Sequence, residues 1–188
     1  MSTSYQIKDQ NGLYFLTFQV VDWIDIFTRK IYKDILIDSF KFSMDNKGFQ
    51  LFAYVIMSNH VHLIANSSTG KLSDSIRDLK KFTSRNIVET IHNIPESRRS
   101  WILKRFKYNA SQIKSVKNYQ LWTHENHAVQ LYSDKFITEK IEYIHNNPVK
   151  AGIVEKPEDY MYSSARNYAG LDAPINIPLL TLRWYTYK

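Results

Sequence analysis

Apolar residues fall along the chain in two rhythms, and the rhythms predict its elements. Residues 13–21 (LYFLTFQVV) are dense in aromatic and β-branched side chains and predict a strand. In residues 30–44, Ile31, Ile35, Leu36 and Phe40 recur near helical spacing, and Asp45-Asn46-Lys47-Gly48 then reads as a turn. Residues 49–57 predict a second strand and residues 60–65 a third. Only Ser58-Asn59 links them, so the two should pair as an antiparallel hairpin. Residues 71–92 predict a long helix whose apolar stripe is Leu72, Ile76, Leu79, Ile87, Val88 and Ile91, ended by Pro95. Residues 95–117 read as basic and irregular, and 119–122 as a short fourth strand. Ser133 reads as the N-cap of a last helix over 134–147, stopped by Pro148.

The order strand, helix, two strands, helix, strand, helix predicts an α+β fold with helices packed on one face of an antiparallel sheet. The nearest named pattern is the split βαβ, ferredoxin-like arrangement. With five Gly and five Pro and no repeat, no long linker is visible. The reading is one domain over residues 1–170 and a tail over 171–188, packed on the domain or on a partner chain.

Composition narrows the function classes. The longest apolar run, residues 51–57, is too short to span a bilayer, and the first ten residues lack the apolar core of a signal peptide. A soluble, cytoplasmic protein with no membrane partner is expected. The absence of cysteine excludes a disulfide framework and a cysteine-rich zinc site. A net charge of +7 attracts polyanions, and an aromatic content of 14% supplies faces for unpaired bases. Composition alone leaves a nucleic-acid partner and a merely basic surface equally open.

Two segments carry candidate chemistry. In His60-Val61-His62 on a strand, the two imidazoles share one face and can converge on a divalent cation. Two solvated histidines on a half-buried strand would show the same spacing. In Tyr143-Ile144-His145-Asn146-Asn147 on a helix, Tyr143 and Asn147 share a face as i and i+4. Ile137, Ile141 and Ile144 form a stripe elsewhere, so the phenol is not needed in the core. Phe136 shares the angle of Tyr143, which points the other way. His145 stands about 200° around the helix from Tyr143, and His124, His127 and His145 read as structural or surface residues. A tyrosine hydroxyl ionises near pH ~10 and needs help to act as a nucleophile. A cation held by two imidazoles and an amide oxygen would supply that help and leave positions open for phosphate and water.

The segments Tyr54-Val55-Ile56-Met57-Ser58-Asn59-His60-Val61-His62-Leu63-Ile64 and Tyr143-Ile144-His145-Asn146-Asn147-Pro148-Val149-Lys150-Ala151-Gly152 resemble the two motifs of the single-tyrosine HUH transposases. The resemblance is nearest to the REP-associated tyrosine transposases. Lys80-Lys81-Phe82-Thr83 and Tyr162-Ser163-Ser164-Ala165 match that branch too, and the likeness covers about residues 13–170. It implies a ferredoxin-like core that cuts single-stranded DNA beside hairpins. His60 and His62 would be metal ligands, Tyr143 the nucleophile that forms a 5′-phosphotyrosine, and Asn147 the third ligand. The metal would be Mg²⁺ or Mn²⁺. Ser58 stands where the family commonly has proline. The family includes both dimers that exchange the tyrosine helix and monomers that act in cis, so a homodimer is among the assemblies implied.

Lys80, Lys81 and Arg85 on the middle helix, and Arg98, Arg99, Lys104, Arg105 and Lys107 after it, are candidate DNA contacts. Trp101, Phe106 and Tyr108 interleave with them and suit base stacking. A solvated basic face is the plain alternative. Three rivals to a transposase remain: a host-adopted hairpin nickase, a module that only binds nucleic acid, and a zinc hydrolase.

Overall fold

The computed structural model describes residues 6–113 and 118–180. Strands β1 (Tyr14–Gln19), β2 (Phe49–Ile56), β3 (His60–Ser67) and β4 (Val129–Gln130) pair antiparallel in the spatial order β2-β3-β1-β4. Helices are α1 (Lys30–Lys47), α2 (Leu72–Asn93), α3 (Arg99–Ser111), α4 (Asp134–Lys150) and α5 (Ala165–Tyr168). The α+β class and the ferredoxin-like strand order are as the sequence predicts.

Strand alternation gives the sheet two different faces. One face carries Leu16, Phe18, Tyr54, Val61 and Leu63, all buried. Phe40 of α1 packs on Tyr54 with ring centroids 6.0 Å apart, and Trp122 packs on Phe18 at 5.9 Å while its indole donates to Thr83 of α2. Burial of each such side chain stabilises the fold by roughly 1.5–3 kcal/mol. The other face carries Phe15, Thr17, His60 and His62. The expected one-faced packing holds for α1 and α2; α4 lies across this second face, where Tyr143 meets His62 and Phe15.

Four local readings change. Asp45, Asn46 and Lys47 form the last turn of α1, and the turn signal belongs to Gly48, whose φ of 63° ends the helix. The stretch after Pro95 forms α3, because Ile102, Phe106 and Ala110 recur every four residues and are buried; residues 114–117 lie outside those described. The fourth strand is at Val129–Gln130, not at 119–122. Leu121, Thr123 and Asn126 still exchange backbone hydrogen bonds with Val21, Gln19 and Thr17, so the segment follows β1 with a break before β4. A left-handed His127, φ 40°, lies in that break. Pro148 sits inside α4. In the final turn it removes only one helical donor, and the end is closed by Gly152 (φ 68°) donating to Val149 and Ile153 donating to Pro148.

Residues beyond α4 cover the free edge of β2. Ile56 donates to the carbonyl of Tyr162, Ser164 donates to the carbonyl of Tyr54, and the Tyr160 hydroxyl caps the Ile56 carbonyl at 2.7 Å. Residues 171–180 then fold back on α5, where Asn167 donates to Ile175 and the Tyr168 hydroxyl accepts from Leu180. Residues 181–188 of the expected tail lie outside those described.

Candidate active site

The hairpin turn between β2 and β3 places both histidines. The Ser58 carbonyl accepts from Phe27, the Asn59 carbonyl accepts from Val20, and Met57 donates to His60, so the turn is pinned without proline. His60 and His62 then stand on one face with ring centroids 4.7 Å apart. The Asn59 amide nitrogen faces the Trp23 carbonyl, which leaves its oxygen to accept from His60 Nδ1 at 2.8 Å. His62 Nδ1 is bonded to the Thr17 hydroxyl at 2.9 Å. Outer partners of this kind fix ring orientation and leave Nε2 as the available nitrogen on each ring. Burial pulls His60 below its usual pKa, opposed by a hydrogen bond to Asn147. Burial, then His60 and Lys140, push His62 down to about 3. Both rings are therefore neutral near pH 7, the form that binds metal.

Helix α4 supplies the tyrosine. Ser133 caps it by accepting from Phe136, and Ile141 and Ile144 are buried. Tyr143 is 39% exposed on another side of the helix, set edge-on to His62 at 5.2 Å and to Phe15 at 5.8 Å. Asn147, one turn on, reaches His60. The structure thus brings together His60, His62, Tyr143 and Asn147 from the two motifs.

Sequence reasoning missed two cations here. Lys140 Nζ lies over the Tyr143 ring at 5.6 Å and Lys150 Nζ at 5.7 Å. Lys140, Tyr143, Asn147 and Lys150 recur at helical spacing, so one stripe of α4 holds all four. His145 points elsewhere, as expected. It is buried, bonded to Ser164 at 2.9 Å, and held down at about 4 by burial.

Two imidazole nitrogens and an amide oxygen fit a divalent cation that takes its remaining ligands from phosphate and water. All three protein donors are neutral. Among the described residues no cluster of three or more His, Asp or Glu offers a rival metal site.

The basic residues sort by where their charge goes. Lys80 is turned inward: burial lowers it to about 8, and its ammonium donates to the Thr123 carbonyl and to Asn126 at 2.8 and 2.7 Å. Arg98 pairs with Asp25 at 2.6 Å, Arg99 caps the carbonyls of Ile91 and Ile94, and Arg105 pairs with Asp22 at 2.7 Å. These four tie segments together. Lys81 and Arg85 line a groove of about 1100 Å³ with Tyr119, Trp122 and His124. Lys104 and Lys107 are exposed on α3, as are Trp101 and Tyr108. Phe106 is buried, which removes it from the expected stacking set. No helix among the described residues is long and apolar enough to cross a membrane.

A Haemophilus influenzae protein named for the REP-associated tyrosine transposases is 26% identical over 155 residues, 82% of this chain and 80% of its own. The structure of a REP-associated tyrosine transposase bound to a REP hairpin aligns over 100% of both chains with a TM-score of 0.62 at 18% identity, a likeness of fold. A Deinococcus radiodurans R1 protein, solved by crystallography, aligns more loosely: TM-score 0.42 at 16% identity over 78% of this chain and 96% of that one. The profile described as "Transposase IS200 like" matches residues 14–119, more than half of the sequence and including His60 and His62. The chain belongs to the IS200-like transposase family.

Proposed function

We propose that this protein cuts and rejoins single-stranded DNA near hairpins, with Tyr143 as nucleophile. The observation that carries the reading is the edge-on approach of the Tyr143 ring to His62, 5.2 Å within one chain. It favours action in cis. His60, His62 and the Asn147 amide would hold a divalent cation, Mg²⁺ or Mn²⁺, which when bound polarises the scissile phosphate. The Tyr143 oxygen forms a new bond to phosphorus as the bond to the 3′ oxygen breaks. The phenol proton is lost to solvent, and the departing oxygen leaves as a 3′-hydroxyl. One phosphodiester replaces another, so a second 3′-hydroxyl can reverse the step without ATP.

Lys140 and Lys150 flank the phenol and supply positive charge where the phosphate must sit. Lys81, Arg85, Lys104 and Lys107 are the exposed cations proposed to follow the DNA backbone. Lys80, Arg98, Arg99 and Arg105 act at one remove, by holding the segments that carry them. The related solved structure holds a REP hairpin, which supports hairpin DNA as the partner here.

Incubation with labelled hairpin oligonucleotides carrying single-stranded flanks, in Mg²⁺ or Mn²⁺, tests the reading. A denaturation-resistant protein–DNA adduct mapped to Tyr143 is expected. Cleavage without an adduct would indicate an activated water instead, and binding without cleavage a module that only binds.

A further inference from the structure

Trp23 stands at the rim of the histidine pair in a backbone conformation that bulky residues rarely adopt. Asp22 and Trp23 are consecutive left-handed residues, with φ of 53° and 54°. The turn is clamped from both sides. Asp22 Oδ2 accepts from Arg105 Nη2 at 2.7 Å and from Asn109 at 2.8 Å, both on α3. The Trp23 amide donates to the Val20 carbonyl at 3.1 Å, and the Trp23 carbonyl accepts from Asn59 at 3.4 Å.

All this fixes a side chain that adds little to the core. The Trp23 indole is 59% exposed, with its centroid 6.2 Å from that of His60 and the rings nearly perpendicular. Asn59 joins the two: one side chain holds the His60 imidazole by its oxygen and the Trp23 backbone by its nitrogen. The indole is thus kept in register with the histidine pair. Strain tolerated in a clamped turn is a common mark of a ligand-facing group.

We infer that Trp23 is a stacking platform for an unpaired nucleobase next to the phosphate at His60 and His62. The inference rests on the proposed placement of a DNA strand at that pair. An indole suits the task because every base has a π face, so stacking tolerates any sequence. The nearby cations, Lys140 and Lys150, would hold the backbone while the indole holds a base. Arg105 and Asn109 serve as positioning residues through Asp22.

The test compares binding of a thymidine oligonucleotide of about 12 nucleotides with binding of an abasic strand of equal length. Wild type, Trp23→Ala and Trp23→Phe are measured at one salt concentration. The preference for the base-bearing strand should fall by about 5- to 150-fold in Trp23→Ala and persist largely in Trp23→Phe. An unchanged preference in Trp23→Ala would overturn the platform. A parallel adduct assay keeps the two ideas apart. An absent adduct in wild type would count against the Tyr143 reading and not against the platform.

Discussion

His145 and Ser164 join the tyrosine helix to the sheet: the imidazole Nε2 lies 2.9 Å from the serine hydroxyl, and that hydroxyl also accepts from the Tyr54 amide on β2. The tie comes two residues after Tyr143 on α4. It explains how a ring with 39% exposure is held against His62, since the helix below it cannot roll without breaking a buried hydrogen bond. The catalytic proposal depends on that fixed angle.

Tyr143→Phe should leave hairpin binding within about twofold of wild type and abolish the adduct, because only the attacking oxygen is removed. Gel analysis of denatured reactions, beside a binding titration, reads both. An adduct that survives in the variant would show that another residue attacks.

His60→Ala and Asn147→Ala should each raise the metal concentration needed for half-maximal cleavage by about tenfold or more, since each removes one of three protein donors. Titration with Mn²⁺ reads the shift. Superimposable titrations of variant and wild type would remove these residues from the ligand set.

Lys80→Met and Lys81→Ala should separate architecture from DNA contact. Lys80→Met strands the Thr123 carbonyl and Asn126, costing about 1–3 kcal/mol and several degrees of melting temperature. Lys81→Ala should melt like wild type and lower the salt slope of single-strand binding by about 0.7. A destabilised Lys81→Ala beside an unaffected Lys80→Met would reverse the assignment.

Burial holds the folded His145 at about 4, below the ordinary histidine value of about 6.5. Between those values the unfolded chain binds the proton and the native chain does not, so stability is full above about 6.5 and falls as the pH drops toward 4. The loss reaches about 3 kcal/mol. His145→Gln keeps a hydrogen-bonding side chain but does not titrate. Its denaturant midpoint should fall less between pH 7 and 4.5 than that of wild type. Equal losses would show that His145 does not carry this acid sensitivity.

Helices α1, α2 and α4 were legible because each buries a stripe at helical spacing, and the three long strands because they are dense in aromatic and β-branched residues between short turns. Helix α3 was hidden because basic residues separate Ile102, Phe106 and Ala110, and charge reads as loop when the four-residue spacing is not counted. The short β4 pairs over two residues, too few for any pattern. At the site, the strand and helix spacings anticipated which residues share a face, and the fold sets the two faces against each other. The direction of each cation was not readable. Lys80 and Lys81 are neighbours with opposite fates, decided by Thr123 and Asn126 more than forty positions away. Trp23 carried no motif, since its exposure comes from a turn held by α3.

The segment that seals the rim of β2 also limits how this protein can associate with itself. With the Ile56 and Tyr54 backbone groups already engaged by Tyr162 and Ser164, a second copy cannot zip its own sheet onto that border. The opposite border ends in a two-residue strand, too short to splice. Two copies are thereby kept from fusing sheet to sheet along either border.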